Sequence, residues 1–291
     1  MMLEQTSFTW SDVSPVPAKP LQNLTVEGLS ARLAQMLASR DQAVIWKLAC
    51  DFFRGLGFEH VLYGYSPDSR GQNLGAPEDF LLLSTMPKAI VTELVDRGYF
   101  RMSCTFQWAV ENTGIASWSM THEEAGLAGQ IEVRQEGLDF FAEHGLINGC
   151  CIGFQKERTR GRAVMALIAP AVVSQDEVDK LLSDLHDVIF TVAAVAHRSL
   201  SILPYHPPGR RLSRRQREVL EWVADGKTSA DIATIMGITV STVEKHLRLA
   251  RETLGVETTA HAISKAAYLN QVFVATPAEH GTMTTVSAWD A

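Results

Sequence analysis

The stretch LSRRQREVLEWVADGKTSADIATIMGITVSTVEKHLRLARETLGV, Leu212 to Val256, decides the fold of the C-terminal part of the chain. Capping and turn residues divide it into a helix, a short helix, a tight turn and a longer helix. These residues are Ser213, Gly226, Thr228 or Ser229, Gly237 and Thr239. A short helix, a glycine turn and a longer basic helix are the parts of a helix-turn-helix, which places its second helix in the major groove of DNA. A fourth helix is predicted from about Thr258 to Tyr268.

The longer helix, Val240 to about Leu254, has an apolar face and a polar face. The apolar residues recur at helical spacing and are Val243, Leu247, Ala250 and Leu254. The opposite face is polar and mostly cationic, and it consists of Ser241, Lys245, Arg248 and Glu252. We expect it to contact base edges and phosphates, although Arg248 and Glu252 also have the spacing of a surface ion pair. The predicted DNA-contacting residues are Lys227, Thr228, Ser229, Ser241, Thr242, Glu244, Lys245, Arg248 and Arg251.

Charge is distributed unevenly along the 291 residues. From Gly209 to Asn270 there are ten Lys and Arg against seven Asp and Glu, a net of +3 in a chain whose net charge is −7. A locally basic module in an acidic protein is the asymmetry expected when one end approaches phosphates. A cluster around the start of the first helix is predicted to contact backbone phosphate, the alternative being a solvated basic linker. It comprises Arg210, Arg211, Arg214, Arg215 and Arg217.

The runs LSRRQREVLEWVADGKTSADIA and TVSTVEKHLRLARETLGV resemble the DNA-binding domain of LuxR-type (quorum-sensing) transcription regulators almost position by position. One departure is Gln216, where many members carry an acidic residue, whereas Glu218 is retained. The resemblance implies a transcription regulator and not an enzyme. It also implies double-stranded DNA with an inverted-repeat operator as the partner, and a homodimer as the binding form. The candidate dimer surfaces are the apolar helix 174–200 and the fourth helix near Ala262, Ala266 and Leu269.

The N-terminal two thirds of the chain mixes predicted helices and strands. The helices are 24–37, 41–56, one that begins near Pro87 and breaks at Gly98, and one that begins at Ser174 with Glu177 completing a capping box. The strands are 58–65, 79–83, 150–155 and 163–169. A sheet flanked by helices follows, which is an α/β sandwich. The predicted fold is therefore an α/β sandwich joined to an all-α, four-helix helix-turn-helix domain.

This part resembles the acyl-homoserine-lactone sensor domain of the same family. The supporting runs are GLGFEHVLYGY (55–65), TMP (85–87), DRGYFRMS (96–103), Trp118 and EHGLINGCCIGF (143–154). The resemblance implies a small-molecule ligand between sheet and helices. It leads to five predicted segments, which are an N-terminal arm 1–22, a sensor and dimerisation domain 23–200, a linker 201–211, the DNA-binding domain 212–274 and a C-terminal tail 275–291.

The residues that hold a lactone head in the family are replaced here. Ile90 stands where a Trp donates to the lactone carbonyl, and Leu94 stands where a Tyr contacts the acyl carbonyl. The pair Ser103-Cys104 replaces an Asp-Pro pair whose carboxylate receives the ligand amide, while Trp118 retains the second family Trp. Losing three hydrogen-bonding anchors costs on the order of 3–6 kcal/mol of binding free energy. With Tyr63, Tyr65 and Cys151 as residues that could supply other contacts, the predicted pocket is Tyr63, Tyr65, Ile90, Leu94, Ser103, Cys104, Trp118 and Cys151.

We therefore expect a receptor for a small molecule other than a standard acyl-homoserine lactone. The alternative is a ligand-independent regulator or an interaction protein that forms heterodimers with another family member. The four cysteines have no metal-ligand spacing, and no leader or long apolar run is visible. The expected protein is cytoplasmic, with reduced thiols, no membrane association, no metal site and no cofactor.

Overall fold

The computed structural model describes residues 25–67, 69, 74, 79–156, 159, 161–205, 207 and 209–273. The predicted arm 1–22 and tail 275–291 lie outside the described residues. The chain divides into two compact units, one up to Leu203 and one from Pro204 onward, which we call the N-terminal unit and the C-terminal unit. The division falls inside the segment 201–211 that was predicted to be a linker.

The N-terminal unit is built on one antiparallel sheet of five strands in the order β2-β1-β5-β4-β3. The strands are β1 His60–Ser66, β2 Leu81–Ser84, β3 Gly114–Ser117, β4 Gly149–Gly153 and β5 Arg162–Ile168. The central strands are rich in Val, Leu, Ile and Met, as expected for a sheet that is covered on both faces. Its helices are α1 Val26–Ala38, α2 Gln42–Gly55, α3 Lys88–Asp96, α4 Cys104–Glu111, α5 Gln135–Glu143 and α6 Gln175–Ser201, with a 3₁₀ turn at Tyr99–Met102.

The register of the strands assigns each side chain to one of two faces. Leu62, Ala166 and Cys151 lie in one row across β1, β5 and β4, and Gly64, Val164 and Gly153 form the next row on the same face. This face carries α4, so we call it the α4 face. Tyr63, Met165 and Ile152 form a row on the opposite face, which we call the α6 face because Tyr63 contacts His197 of α6 there. Each face is buried under helices, which makes this unit the α/β sandwich that was predicted.

The long helix α6 starts at the predicted capping box, in which Ser174 and Glu177 satisfy each other's backbone N–H groups. Its apolar stripe packs on α1 and α2 and against the sheet, with Val178, Leu182 and Ile189 almost fully buried. The backbone of Leu185 leaves the helical region, with φ −125° and ψ 21°, so the helix is kinked there. Most of the stripe that was considered for dimerisation is thus used inside the unit.

The C-terminal unit contains four helices with boundaries close to those predicted. They are α7 Arg214–Ala224, α8 Ser229–Met236, α9 Val240–Leu254 and α10 Thr259–Tyr268. Ser213, Thr228 and Thr239 cap the first three through their side-chain oxygens, and Gly237 makes the left-handed turn between α8 and α9. Of the two candidate caps for α8, the structure selects Thr228. This is the predicted all-α helix-turn-helix domain.

The fourth helix does not offer the dimer surface expected from its sequence. Ala262, Ala266 and Leu269 are at most 1 % exposed, because they form the face of α10 that packs on α7 and α9. These small side chains allow close helix packing within the unit, and they are not available to a second copy. The proposal that α10 pairs through these residues is therefore wrong.

Gly153→Ala should destabilise the N-terminal unit by about 1–3 kcal/mol, because overpacking forces the backbone of α4 to move. A Cβ at Gly153 would lie 2.1 Å from the carbonyl oxygen of Asn112 and 2.4 Å from that of Ala109. Gly64→Ala is the matched control in the same row, since its Cβ would meet only Leu82 at 3.7 Å. Urea denaturation of both variants measures the difference, and equal losses would contradict the close approach of α4 to β4.

Acid should destabilise the N-terminal unit through His197 on the α6 face. Burial, with a smaller contribution from Arg198, lowers the pKa of His197 from 6.5 to about 4. Its ring stacks on Phe154, and its Nδ1 shares a hydrogen bond of 2.9 Å with the hydroxyl of Tyr63. Because the unfolded chain binds the proton more tightly, stability present above pH 6.5 is lost as pH falls towards 4, by up to about 3 kcal/mol.

Urea titrations of the full chain between pH 7 and pH 4.5 measure this loss. The His197→Gln variant keeps a polar group at the site but cannot titrate, so it should be less stable at pH 7 and should show a shallower decline with acid. Carboxylates that titrate in the same range affect both proteins equally and cancel in the difference. Parallel declines would show that His197 does not carry the effect.

Candidate functional site

A cavity of ≈ 90 Å³ lies against the α4 face of the sheet. The sheet contributes Leu62, Gly64, Val164 and Ala166, and the helices contribute Leu94, Val95, Phe106 and Val110. Phe100 of the 3₁₀ turn and Phe80 add aromatic walls. The lining is almost wholly apolar, and Arg162 at the start of β5 is its one charged side chain among the described residues. Such a space favours carbon atoms and binds polar groups poorly unless they find a partner.

Two of the eight predicted pocket residues line this cavity, namely Leu94 and Tyr65. Leu94 is buried on α3, where it packs among Leu82, Met86 and Val91. Tyr65 also has its ring 6.2 Å from that of His197, so it belongs in part to the α6 face. Ile90 is half-buried against the same apolar cluster as Leu94 and does not line the cavity. Tyr63, predicted for the pocket, lies on the α6 face and is separated from the cavity by the sheet.

The remaining four predicted residues come together beside the cavity in a hydrogen-bonded cluster. Cys151 on β4 receives hydrogen bonds from the indole Nε1 of Trp118 at 3.4 Å and from the Thr105 hydroxyl at 3.5 Å. Ser103 caps α4 by accepting from the N–H of Phe106, and its hydroxyl is 2.9 Å from that of Thr105. Cys104 donates to the carbonyl of Met120 at 3.3 Å. These polar groups are satisfied by one another, so none is left aimed at a ligand.

Burial raises the pKa of the Cys151 thiol, and burial raises that of Cys150 well above its ordinary value. Both thiols are therefore protonated at neutral pH and act as packing groups instead of nucleophiles. Their side chains point to opposite faces of β4, as the alternation of a strand predicts, and Cys151 is the one on the α4 face. Thr105, which joins Ser103 to Cys151, was missed by sequence reasoning, although it directly follows the Ser103-Cys104 pair.

The outer face of α9 presents cations, as predicted for a recognition helix. Ser241, Lys245 and Arg248 are exposed, while Val243 and Leu247 are buried on the other side. Arg248 forms an ion pair with Glu252 at 2.6 Å, with both side chains more than half exposed. Such a pair is worth little in water and exchanges readily for a phosphate or a base edge. Both interpretations of the Arg248–Glu252 spacing therefore fit the free protein.

Several predicted DNA-contacting residues hold the module together in the free protein. Ser229 donates to the carboxylate of Glu244, which ties the start of α8 to α9. Arg251 donates to the hydroxyl of Thr259 at 2.9 Å, which ties α9 to α10. Thr228 caps α8 with Asp231, and Thr242 belongs to the cap of α9. Lys227 is exposed just before α8.

The basic cluster at the start of α7 is partly neutralised. Arg214 and Arg215 both pair with Glu218, at 2.8 Å and 2.7 Å. Gln216 completes a capping box with Ser213, which accounts for an amide at the position where many relatives carry an acid, since either group can accept the backbone N–H. Arg211 remains exposed at this end of the unit.

Among the described residues, no helix is both long enough and apolar enough to cross a membrane. Residues 41–200 match the model of the autoinducer binding domain, and residues 210–266 match that of bacterial regulatory proteins of the luxR family. The transcriptional activator protein AnoR of Acinetobacter nosocomialis is 25% identical over 243 residues, which cover 81% of this chain and 95% of that protein. The transcriptional activator protein VanR of Vibrio anguillarum is 30% identical over 214 residues, or 72% and 83% of the two chains.

The crystal structure of SdiA from Escherichia coli covers 84% of this chain and 98% of its own, at 16% identity and a TM-score of 0.49. The two family models together account for both units, the autoinducer-binding model alone spanning more than half of the chain. The helix-turn-helix and the sandwich with its apolar cavity are the parts that this family requires. The chain belongs to the family of LuxR-type transcription regulators that join an autoinducer-binding domain to a DNA-binding domain.

Proposed function

We propose that this regulator responds to a small molecule other than a standard acyl-homoserine lactone. The observation that carries the proposal is the apolar cavity of ≈ 90 Å³ together with the self-satisfied cluster beside it. Pockets for drug-sized ligands typically measure about 300–1,000 Å³, and an engineered cavity of about 150 Å³ holds one benzene. A lactone with its acyl chain needs more room than this cavity offers, so α3 or α4 would have to move outward.

The polar environment supports the same proposal. Positions 90 and 94 carry aliphatic side chains, and Ser103 and Trp118 already have partners within the chain. A lactone, an ester carbonyl and an amide placed here would either remain unpaired or break these bonds. Each unpaired buried polar group costs roughly 1–3 kcal/mol of binding free energy. A smaller and simpler ligand avoids that cost.

We further propose that the C-terminal unit reads an inverted-repeat operator as part of a homodimer. The exposed cations of α9 supply the contacts to bases and phosphates, and a two-fold symmetric protein matches a two-fold symmetric site. Ser229, Glu244 and Arg251 contribute by fixing the orientation of α8, α9 and α10, in addition to any contact with DNA. The cytoplasm, where DNA and reduced thiols are found, is the compartment that this function needs.

The near-filled core also favours the second hypothesis, a regulator that folds and acts without a ligand. Thermal unfolding of the purified protein in extracts of small molecules separates the two. A receptor gains stability when a ligand binds the folded state, so its melting temperature rises. A ligand-independent regulator binds its operator equally well with and without the extract.

Common acyl-homoserine lactones should bind weakly or not at all. The expected loss of affinity is roughly 10²- to 10⁴-fold relative to a pocket that keeps all three polar anchors. Isothermal titration of the purified full chain with lactones of several acyl lengths measures this directly. Sub-micromolar binding of any of them would contradict the proposal, and it would mean that α3 and α4 rearrange to free Ser103 and Trp118.

Lys245→Ala should weaken binding to a specific operator by roughly 1–3 kcal/mol if the side chain contacts a base. If it contacts only phosphate, the loss is similar on all sequences and the salt dependence falls by about one counterion. Lys180→Ala removes an equal charge from the exposed face of α6 and serves as the control. Operator titrations at two salt concentrations measure both quantities, and a single half-site tests the dimer. Wild-type affinity in a folded Lys245→Ala protein would remove α9 from the recognition surface.

A further inference from the structure

Arg162 is a buried cation in an otherwise apolar cavity. Its side chain is 11% exposed, and it enters the cavity from the first residue of β5. Its Nε–H is fully buried and has no hydrogen-bond partner. A buried donor on a charged group that lacks an acceptor is strongly disfavoured, so such a group in a folded protein calls for an explanation.

The other contacts of Arg162 do not supply that acceptor. One Nη donates to the backbone carbonyls of Thr159 at 3.1 Å and Gly161 at 2.9 Å, which anchors the start of β5. The nearest carboxylate oxygen, Oε1 of Glu111, is 3.5 Å from Nε and makes no hydrogen bond with it. The other oxygen of Glu111 is held by Lys156 at 2.6 Å, and Glu111 is half exposed. The guanidinium is fixed in place by the backbone while its Nε–H remains free.

The charges around this end of the cavity leave room for one more anion. Arg162 and Lys156 carry two positive charges, and Glu111 carries one negative charge. Burial alone would raise the pKa of Glu111, but its contacts with Lys156 and Arg162 outweigh that effect and lower it, so the carboxylate is ionised at neutral pH. The trio has a net charge of +1, which a singly charged carboxylate would neutralise.

The rest of the lining offers little else to a polar ligand. Ser66, which faces Arg162 across β1 and β5, donates its hydroxyl to the carbonyl of Leu74. The remaining walls are aliphatic and aromatic carbon. A cavity of ≈ 90 Å³ accommodates roughly four carbon atoms, by comparison with a cavity of about 150 Å³ that holds the six of benzene. The ligand therefore has a short hydrocarbon part and one acceptor group.

We propose that the ligand of this cavity is a small carboxylic acid, bound as its carboxylate, whose oxygen accepts the Nε–H of Arg162 while a short acyl chain fills the apolar space. This inference rests on the proposed function, in which the cavity binds a small molecule. It names the chemical class of that molecule and the residue that selects it. A charge-assisted hydrogen bond in an apolar site distinguishes a carboxylate from a neutral amide of the same shape.

The test compares acids with their amides on wild-type and variant full-length protein. Butyrate, isovalerate, hexanoate and benzoate are titrated at pH 7 and constant ionic strength, each beside its primary amide, with binding followed by calorimetry and by the melting temperature. Wild-type protein should bind at least one acid about tenfold or more tightly than the matching amide. Arg162→Gln should remove that preference and leave amide affinity within about twofold.

Two further variants keep the test decisive. Arg162→Lys retains a charge and a donor but not the planar group, so it supports folding and should retain part of the preference. It carries the comparison if Arg162→Gln does not fold. Lys156→Gln removes a nearby charge that does not line the cavity, and it should change acid affinity less than threefold. A larger effect of Lys156→Gln than of the Arg162 variants would overturn the assignment.

Failure of this inference can be distinguished from failure of the proposed function. Binding of amides and acids with equal affinity, or a loss in Arg162→Gln that is the same for both, overturns the carboxylate assignment while the cavity remains a binding site. Binding of no member of the panel also overturns it. The proposed function fails only if, in addition, small-molecule extracts leave the melting temperature unchanged.

Discussion

The close approach of α4 to β4 is the constraint on which the N-terminal unit depends. Gly153 has no side chain, and the carbonyl groups of Ala109 and Asn112 occupy the space that a Cβ would need. This contact sets the distance between α4 and the sheet. A helix that lies so near leaves little volume between its apolar side chains and the strands, so the cavity on this face is small.

The same approach determines which polar groups are free. Because α4 lies close to the sheet, Thr105 reaches Cys151, and Trp118 reaches the same sulfur from the end of β3. Sulfur accepts hydrogen bonds weakly, but it satisfies two donors that would otherwise be buried alone. Groups that could have faced a ligand thus stabilise the packing of α4. The interior of this sensor is consistent with its sequence, in which aliphatic residues stand at the positions that hold a lactone in relatives.

Sequence predicted the parts of the fold that carry strong local signals. Helices α6 to α10 have capping side chains and a long apolar periodicity, so their ends could be placed to within a few residues. Helix α4, helix α5 and strand β3 were not predicted, because each has nine residues or fewer and β3 is a four-residue edge strand. The face of Tyr63 could not be predicted either. Both faces of the sheet are buried, so alternation of hydrophobicity along β1 does not tell which one holds the cavity.

The candidate site illustrates the same difference between local and long-range information. Leu94 could be placed at the cavity by its position in the family pattern, whereas Arg162 depends on the pairing of β5 with β1 and on the loop carbonyls that hold it. Three polar anchors are absent from α3 and the start of α4, and one cation is present on the opposite side of the cavity. In an apolar space a single fixed charge dominates selectivity, because every uncharged competitor leaves it unpaired. Recognition in this protein therefore depends on the sheet more than on the helices that cover it.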